Sequence, residues 1–134
     1  KVASLLSSIS HPLIIMDGRV GAALGDMIVM LADTEGYNSV HPQLLFPWGA
    51  ERQVRKETQP VIKRNPSTVN LKFPRLFGAK KDFLHAKAMY FGSHLLRQVV
   101  LQLQNQGEVV EVNELEASLF MWGYDVISRR KRAT

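Results

Sequence analysis

The chain has 134 residues, and 46% of them are hydrophobic, which is enough for one domain with a modest core. No apolar run approaches the roughly 20 residues that span a bilayer, which argues against a membrane protein, and this apolar content argues against a disordered tail. The formal net charge is +5 and cysteine is absent, so disulfides and thiolate metal sites are excluded and a reducing, cytoplasmic compartment is expected.

The positive charge is concentrated in the middle of the chain. Residues 51–97 carry a net charge of +8, whereas residues 1–50 carry −2 and residues 98–134 carry −1. A clustered positive field attracts polyanions and speeds their capture. The same cations could equally form an ordinary solvated surface, so charge alone leaves both interpretations open.

The first part of the chain predicts helices joined by loops. Residues 2–9 are compatible with a short helix. Between residues 20 and 33, apolar side chains recur at spacings of three and four, which predicts a helix that ends at Gly36. Residues 37–50 contain two prolines and a glycine, which predicts a loop that buries some of its apolar side chains. A polar connector over residues 51–65 follows.

The middle of the chain predicts one strand and two helices. Residues 68–73 alternate polar and apolar side chains, which is the period of a strand with one buried face. A helix over about 76–91 follows Pro74, and a glycine breaks it. Ser93 can then cap a second helix that ends near Gln106.

The last part of the chain predicts one further helix, from Glu114 to about Arg130, with Asn113 as its cap. One apolar side supports it: Leu115, Leu119, Trp122, Val126 and Ile127. The cationic run at 129–132 is open to two interpretations, an arm that follows DNA or a solvated tail.

A single strand needs a pairing partner, because its backbone N–H and C=O groups are otherwise unpaired. A copy of the same strand in a second molecule, related by a two-fold axis, would satisfy them. Pairing of residues 68–73 with residues 108–112 of the same chain is the alternative, which the pattern leaves open.

Residues 69–75 read VNLKFPR, and two helices with a glycine-serine break follow them. This segment resembles the ribbon-helix-helix repressors of the Arc and MetJ type over residues about 65–107. The resemblance implies a mostly α fold with one short β-strand, in which strands of two subunits form an antiparallel ribbon. The DNA-binding module would span 63–107, between an N-terminal helical extension with the basic connector (1–62) and a C-terminal helix with a basic tail (108–134). The implied dimer core is Val69, Leu71, Phe73, Leu95, Leu96, Val99, Val100 and Leu103.

The resemblance also implies how DNA is contacted, with the ribbon in the major groove. Asn70 can bond to adenine, Lys72 can donate to guanine, and Thr68 can bond to either base or touch a thymine methyl. Phosphate contacts fix the register of such a protein on the duplex. The predicted phosphate contacts are Lys63, Arg64, Arg75, Ser93 and His94. The alternative is an ordinary solvent-facing strand.

The predicted function is therefore a sequence-specific regulator of transcription that binds double-stranded DNA in the cytoplasm, at the nucleoid, as a homodimer with higher-order assembly on repeated half-sites. The alternative is a helical adaptor or assembly subunit that binds an acidic protein partner. The two differ in sequence discrimination, because a specific DNA binder holds its site about 10³-fold or more tighter than random duplex.

Neither enzyme activity nor a cofactor, metal or membrane partner is expected. The glycines at 18, 21 and 25 match no nucleotide-binding fingerprint and are more typical of close helix packing. The four histidines lack the spacing of a metal site. Asp17, Asp26 and Asp33 lie along one helical segment without a paired acid, which gives carboxylate catalysis little support.

Overall fold

The computed structural model describes residues 13–50, 64–76 and 82–133. In these ranges the chain forms four α-helices, which we name α1 (Gly18–Glu35), α2 (Asp82–Asn105), α3 (Val112–Trp122) and α4 (Val126–Ala133). A short 3-10 helix, Pro42–Leu44, lies between α1 and α2. Within the described ranges, no helix combines the length and the hydropathy of a membrane-spanning segment. The helix predicted over 2–9 lies outside the described residues.

Helix α1 is the centre of the fold, and local chemistry sets both of its ends. The Asp17 carboxylate accepts hydrogen bonds from the backbone N–H groups of Arg19 and Val20, at 2.7 and 3.1 Å. Gly36 ends the helix in the left-handed conformation, with φ of 73°. Ten of its 18 residues are buried, so the helix is covered on most sides. The predicted helix and its end at Gly36 are confirmed.

Glycines on α1 let two loops lie directly on the helix backbone. A Cβ atom at Gly21 would lie 1.8 Å from the carbonyl oxygen of Pro47, and one at Gly25 would lie 2.6 Å from the ring of Pro66. Neither position has room for a methyl group. The prediction of close packing is confirmed at these two glycines, but loops occupy the places that were predicted for another helix.

The two loops that cover α1 also bond to each other. The Trp48 N–H donates to the carbonyl of Pro74 at 3.0 Å, and the Leu76 N–H donates to the carbonyl of Trp48 at 2.8 Å. The Trp48 indole donates to the carbonyl of Phe73 at 3.2 Å. Phe46 and Trp48 are both buried, so the predicted burial of apolar residues in the first of these loops is confirmed.

The strand predicted over 68–73 is wrong, and the ribbon-helix-helix fold is wrong with it. The Thr68 N–H donates to the carbonyl of Leu71 at 2.8 Å, and the Leu71 N–H donates back to the Thr68 hydroxyl at 3.1 Å. The Ser67 hydroxyl accepts from the Phe73 N–H at 3.0 Å. A segment that bonds to itself in this way has no row of backbone groups to offer a second molecule.

The residues assigned to a dimer core divide between the core and the surface of one chain. Four are buried inside the chain: Leu71, Phe73, Leu96 and Val100. Two are half-buried: Leu95 and Leu103. Two are exposed: Val69, at 90%, and Val99, at 37%. The alternating pattern therefore reflects burial of two side chains in a loop, and the burial needs no second subunit.

Helix α2 runs without interruption through the predicted break at Gly92 and Ser93. A Cβ atom at Gly92 would lie 2.5 Å from the terminal carbon of Met16, so the glycine makes room for core side chains. The buried Ser93 hydroxyl donates to the carbonyl of Met89 at 2.6 Å and accepts from the N–H of Ile14 at 2.9 Å. Both residues serve packing in the middle of a helix.

The single helix predicted over 114–130 is instead two helices, α3 and α4. A Cβ atom at Gly123, which follows α3, would lie 1.8 Å from the carbonyl oxygen of Arg19, so the chain turns against the first turn of α1. The Asp125 carboxylate then accepts from the N–H of Ser128 at 2.9 Å and starts α4.

One hydrophobic core draws on all three segments predicted as domains. It contains Ile14 and Met16, Leu71 and Phe73, and Val126. The division of the chain into domains at 62/63 and 107/108 is not tested by this observation and stays a prediction.

Candidate nucleic-acid interface

The three residues predicted to read bases lie in the loop that replaces the strand. Lys72 donates from Nζ to the carbonyl of Thr68 at 2.6 Å. Asn70 donates to the side-chain oxygen of Asn38 at 3.2 Å. The Thr68 hydroxyl accepts from Leu71. These hydrogen bonds stabilise the loop. Contact between these side chains and DNA bases stays a prediction, although the β-ribbon on which it was based is not formed.

The residues predicted to contact phosphate do not form one site. Ser93 and His94 lie in the middle of α2, where the helix leaves no backbone N–H groups for a ligand. Arg75 is exposed in the loop that follows residue 73. Lys63 lies outside the described residues. Arg64, in contrast, lies beside other cations at the C-terminal end of the fold.

These cations and three aromatic rings lie at the end of α3, along α4 and at the start of α1. We name this region the C-terminal basic surface and define it by the cations Arg19, Arg64, Arg129, Lys131 and Arg132 with the rings of Phe120, Trp122 and Tyr124. The Arg19 guanidinium lies 4.4 Å from the ring centre of Phe120 and 5.2 Å from that of Tyr124. The contact between Gly123 and the Arg19 backbone holds these groups together.

The other two arginines near these rings are held in the same manner. Arg64 lies 5.7 Å from the ring centre of Tyr124, and its Nε donates to the carbonyl of Tyr124 at 3.4 Å. Arg129 lies 4.6 Å from the ring centre of Trp122. A guanidinium over a ring face is worth about 0.5–1 kcal/mol at an exposed site and keeps its N–H edges available. The rings therefore restrict the arginines without neutralising them.

A buried carboxylate lies beneath this surface. The side chain of Asp26 is 1% exposed and accepts from Arg130 Nε at 2.5 Å and from the Trp122 indole at 2.9 Å. Arg130 also donates to the carbonyl of Pro66 at 2.9 Å. The charge of Arg130 is thus compensated inside the protein, which is the arrangement that a buried carboxylate requires. We leave Arg130 out of the C-terminal basic surface for this reason.

The surface keeps a net positive charge. Within the described part of the chain, Arg19, Arg64 and Arg129 form no ion pair with a carboxylate. Lys131 and Arg132 are exposed in the last turn of α4, where the helix dipole favours cations. Part of their role is therefore to stabilise α4. Planar guanidinium groups match the paired oxygens of phosphate and carboxylate groups, so the surface suits an anionic oxygen ligand.

The cationic run at 129–132 is evident in the sequence, but the part that Arg19 and Asp26 play is not. Asp26 and Arg130 are 104 positions apart, and no local pattern reports their pairing. The local signal is Asp26 on the apolar side of a predicted helix, which indicates a buried charge but does not identify its partner. Among the described residues, no group of three or more acids or histidines could hold a metal ion.

Comparison with known proteins identifies no relative. No family model, no curated protein and no solved structure matches the chain. A functional interpretation therefore depends on the geometry and charge of the chain itself.

Proposed function

We propose that the chain is a double-stranded DNA-binding protein that contacts the phosphate backbone through the C-terminal basic surface. One observation carries this proposal: Arg19, Arg64 and Arg129 are held on aromatic rings, and no described carboxylate neutralises them. Such preordered guanidinium groups lose little side-chain entropy when they bind phosphate. A role in transcription regulation at the nucleoid, expected from the sequence, depends on this binding.

The aromatic rings favour a duplex over a single strand. Proteins that bind single strands offer open ring faces on which bases stack. Here the rings of Phe120, Trp122 and Tyr124 each carry a guanidinium over a face. The rings support the arginines, and the cations are the groups presented to the nucleic acid.

Neutralising three cations of α4 tests this proposal. The variant Arg129→Gln/Lys131→Gln/Arg132→Gln is expected to weaken duplex binding by about a hundredfold or more at ~0.1 M salt. The logarithmic slope of affinity against salt is expected to become shallower by about 2.7, which is 0.9 for each phosphate that the variant no longer neutralises. Fluorescence anisotropy with a labelled duplex at several salt concentrations measures both quantities.

A matched variant removes the same charge elsewhere. Lys72→Gln/Arg75→Gln/Lys87→Gln also lowers the net charge by three, at exposed positions. Lys72 and Arg75 are the contacts predicted from the sequence, and Arg75 and Lys87 also lie over rings, those of Trp48 and Phe91, at 5.2 and 5.8 Å. This variant therefore tests the competing position of the interface with the same change in charge. We expect its salt slope to stay within about one unit of the parent value, since long-range attraction alone then changes. Equal slopes for the two triple variants would contradict the assignment of the interface to α4.

An acidic protein partner is the second candidate, and an apolar groove beside the cations favours it. Ile15, Phe120 and Met121 line an open groove of about 590 Å³, and Met121 is 67% exposed. Asp17 and Glu116 also line it, and both carboxylates accept hydrogen bonds from backbone N–H groups. A protein partner would bury these side chains, whereas a phosphate backbone gains nothing from them. Binding of polyglutamate as tightly as duplex DNA at equal salt would favour this candidate over the first.

A further inference from the structure

Asp26 connects three parts of the chain to the central helix. Its carboxylate, on α1, accepts one hydrogen bond from Trp122 at the end of α3 and one from Arg130 on α4. Arg130 in turn donates to Pro66. One buried group therefore fixes α3, α4 and the segment around Pro66 relative to α1.

The cations of the C-terminal basic surface are adjacent to each of these anchored points. Arg129 lies over the ring of Trp122, whose indole N–H is bonded to Asp26. Arg64 lies two positions before Pro66, whose carbonyl is bonded to Arg130. The eight residues of α4 are too few for a stable isolated helix, so its order depends on tertiary contacts such as the Asp26–Arg130 pair.

We infer that Asp26 is a positioning residue for DNA binding, a buried acid that strengthens the binding of a polyanion by orienting Arg129 and Arg64. The inference rests on the proposed function. The expected change in affinity is opposite to the Coulomb effect. By Coulomb's law, removal of a negative charge near a phosphate-binding surface should tighten binding. If Asp26 orients the cations, its removal should instead weaken binding, because the loss of preordered cations outweighs the gain of one net positive charge.

Two variants with the same charge separate the two effects. Asp26→Asn keeps an acceptor for the Trp122 indole and removes the ion pair with Arg130. Asp26→Ala removes both interactions. Charge alone predicts equal tightening in both variants, by about tenfold at ~0.1 M salt if the released Arg130 binds one phosphate. Orientation predicts weaker binding than the parent in both, and a larger decrease for Asp26→Ala, by about tenfold or more.

A control variant and a spectroscopic measurement separate the loss of orientation from a general loss of stability. Leu96→Ala deletes buried methyl groups on α2, where the cost is about 2–5 kcal/mol without a change in charge. While it remains folded, we expect this variant to bind duplex as the parent does. In NMR spectra, the indole N–H resonance of Trp122 is expected to move further in Asp26→Ala than in Asp26→Asn, with the Trp48 resonance as an internal reference.

The outcomes distinguish the inference from the proposed function. Equal or tighter duplex binding by both Asp26 variants, with normal binding by the parent, would overturn the inference and leave the proposed function standing. An unmoved Trp122 resonance in Asp26→Ala would also overturn it, because the indole would then not be held by Asp26. A parent protein that binds no duplex would overturn both.

Discussion

Replacement of Arg130 by leucine is expected to lower the free energy of unfolding by about 3 kcal/mol. The substitution leaves the Asp26 carboxylate, 1% exposed, with the neutral Trp122 indole as a donor and without its cation. Removal of one partner of a buried ion pair costs about 3–5 kcal/mol. We expect the lower end because the Arg130 side chain is 25% exposed and its interaction is partly screened. Urea denaturation with an unchanged m-value measures the decrease.

A second substitution should reverse much of this decrease. In Asp26→Asn/Arg130→Leu, neither charge of the pair remains and the asparagine oxygen still accepts from Trp122. The double variant is therefore expected to be more stable than Arg130→Leu alone, with a coupling energy of about 2 kcal/mol. Arg132→Leu, a change of the same type at an exposed site on α4, should cost less than about 0.5 kcal/mol. Additive effects of the Asp26 and Arg130 substitutions would show that the two side chains do not interact.

Replacement of Gly21 by valine is expected to destabilise the fold by about 3 kcal/mol. Valine is a better helix former than glycine by a few tenths of a kcal/mol, which opposes the effect only weakly. The added Cβ would lie 1.8 Å from the carbonyl oxygen of Pro47, which is backbone and cannot rotate away. The loop with the buried Phe46 and Trp48 must then shift, and overpacking of this kind costs about 1–3 kcal/mol or more.

An exposed position on the same helix supplies the control for Gly21→Val. Met30 is 47% exposed, so Met30→Val introduces the same β-branched side chain into α1 without a clash. It should cost less than about 1 kcal/mol. Thermal unfolding followed by circular dichroism measures stability, and the indole N–H resonance of Trp48 in NMR spectra reports the loop. A Gly21→Val protein as stable as Met30→Val would mean that the loop does not lie against α1.

The sequence predicts the elements whose structure depends on neighbouring residues in the chain. Helix α1 followed from apolar periodicity and from Gly36, whose left-handed conformation is a property of a single residue. The strand prediction over 68–73 is wrong because Leu71 and Phe73 are buried at a spacing of two in a loop, as they would be in a strand. Hydroxyl groups of Ser67 and Thr68 provide hydrogen bonds that compete with a ladder, and this competition was visible in the sequence.

The basic surface could be predicted only in part, because its geometry depends on distant pairs. The cations of 129–132 are evident in the sequence, but no local pattern tells which of them faces inward. Arg130 faces inward because it pairs with Asp26, which lies 104 positions away in the sequence. In the same way, Arg19 meets Phe120 and Tyr124 only because α1 and α3 pack together. Tertiary packing selects the residues that form the surface.

Anchoring by Arg130 has a consequence for how the C-terminal helix opens. Short terminal helices commonly fray, and their amide protons exchange with solvent far faster than those of a core. The attachment of α4 runs through its middle to a carboxylate buried on the central helix. Opening of α4 must then expose that carboxylate. The amide protons of α4 are therefore expected to exchange far more slowly than those of an unattached terminal helix, and the cations that α4 carries keep their positions while the core is folded.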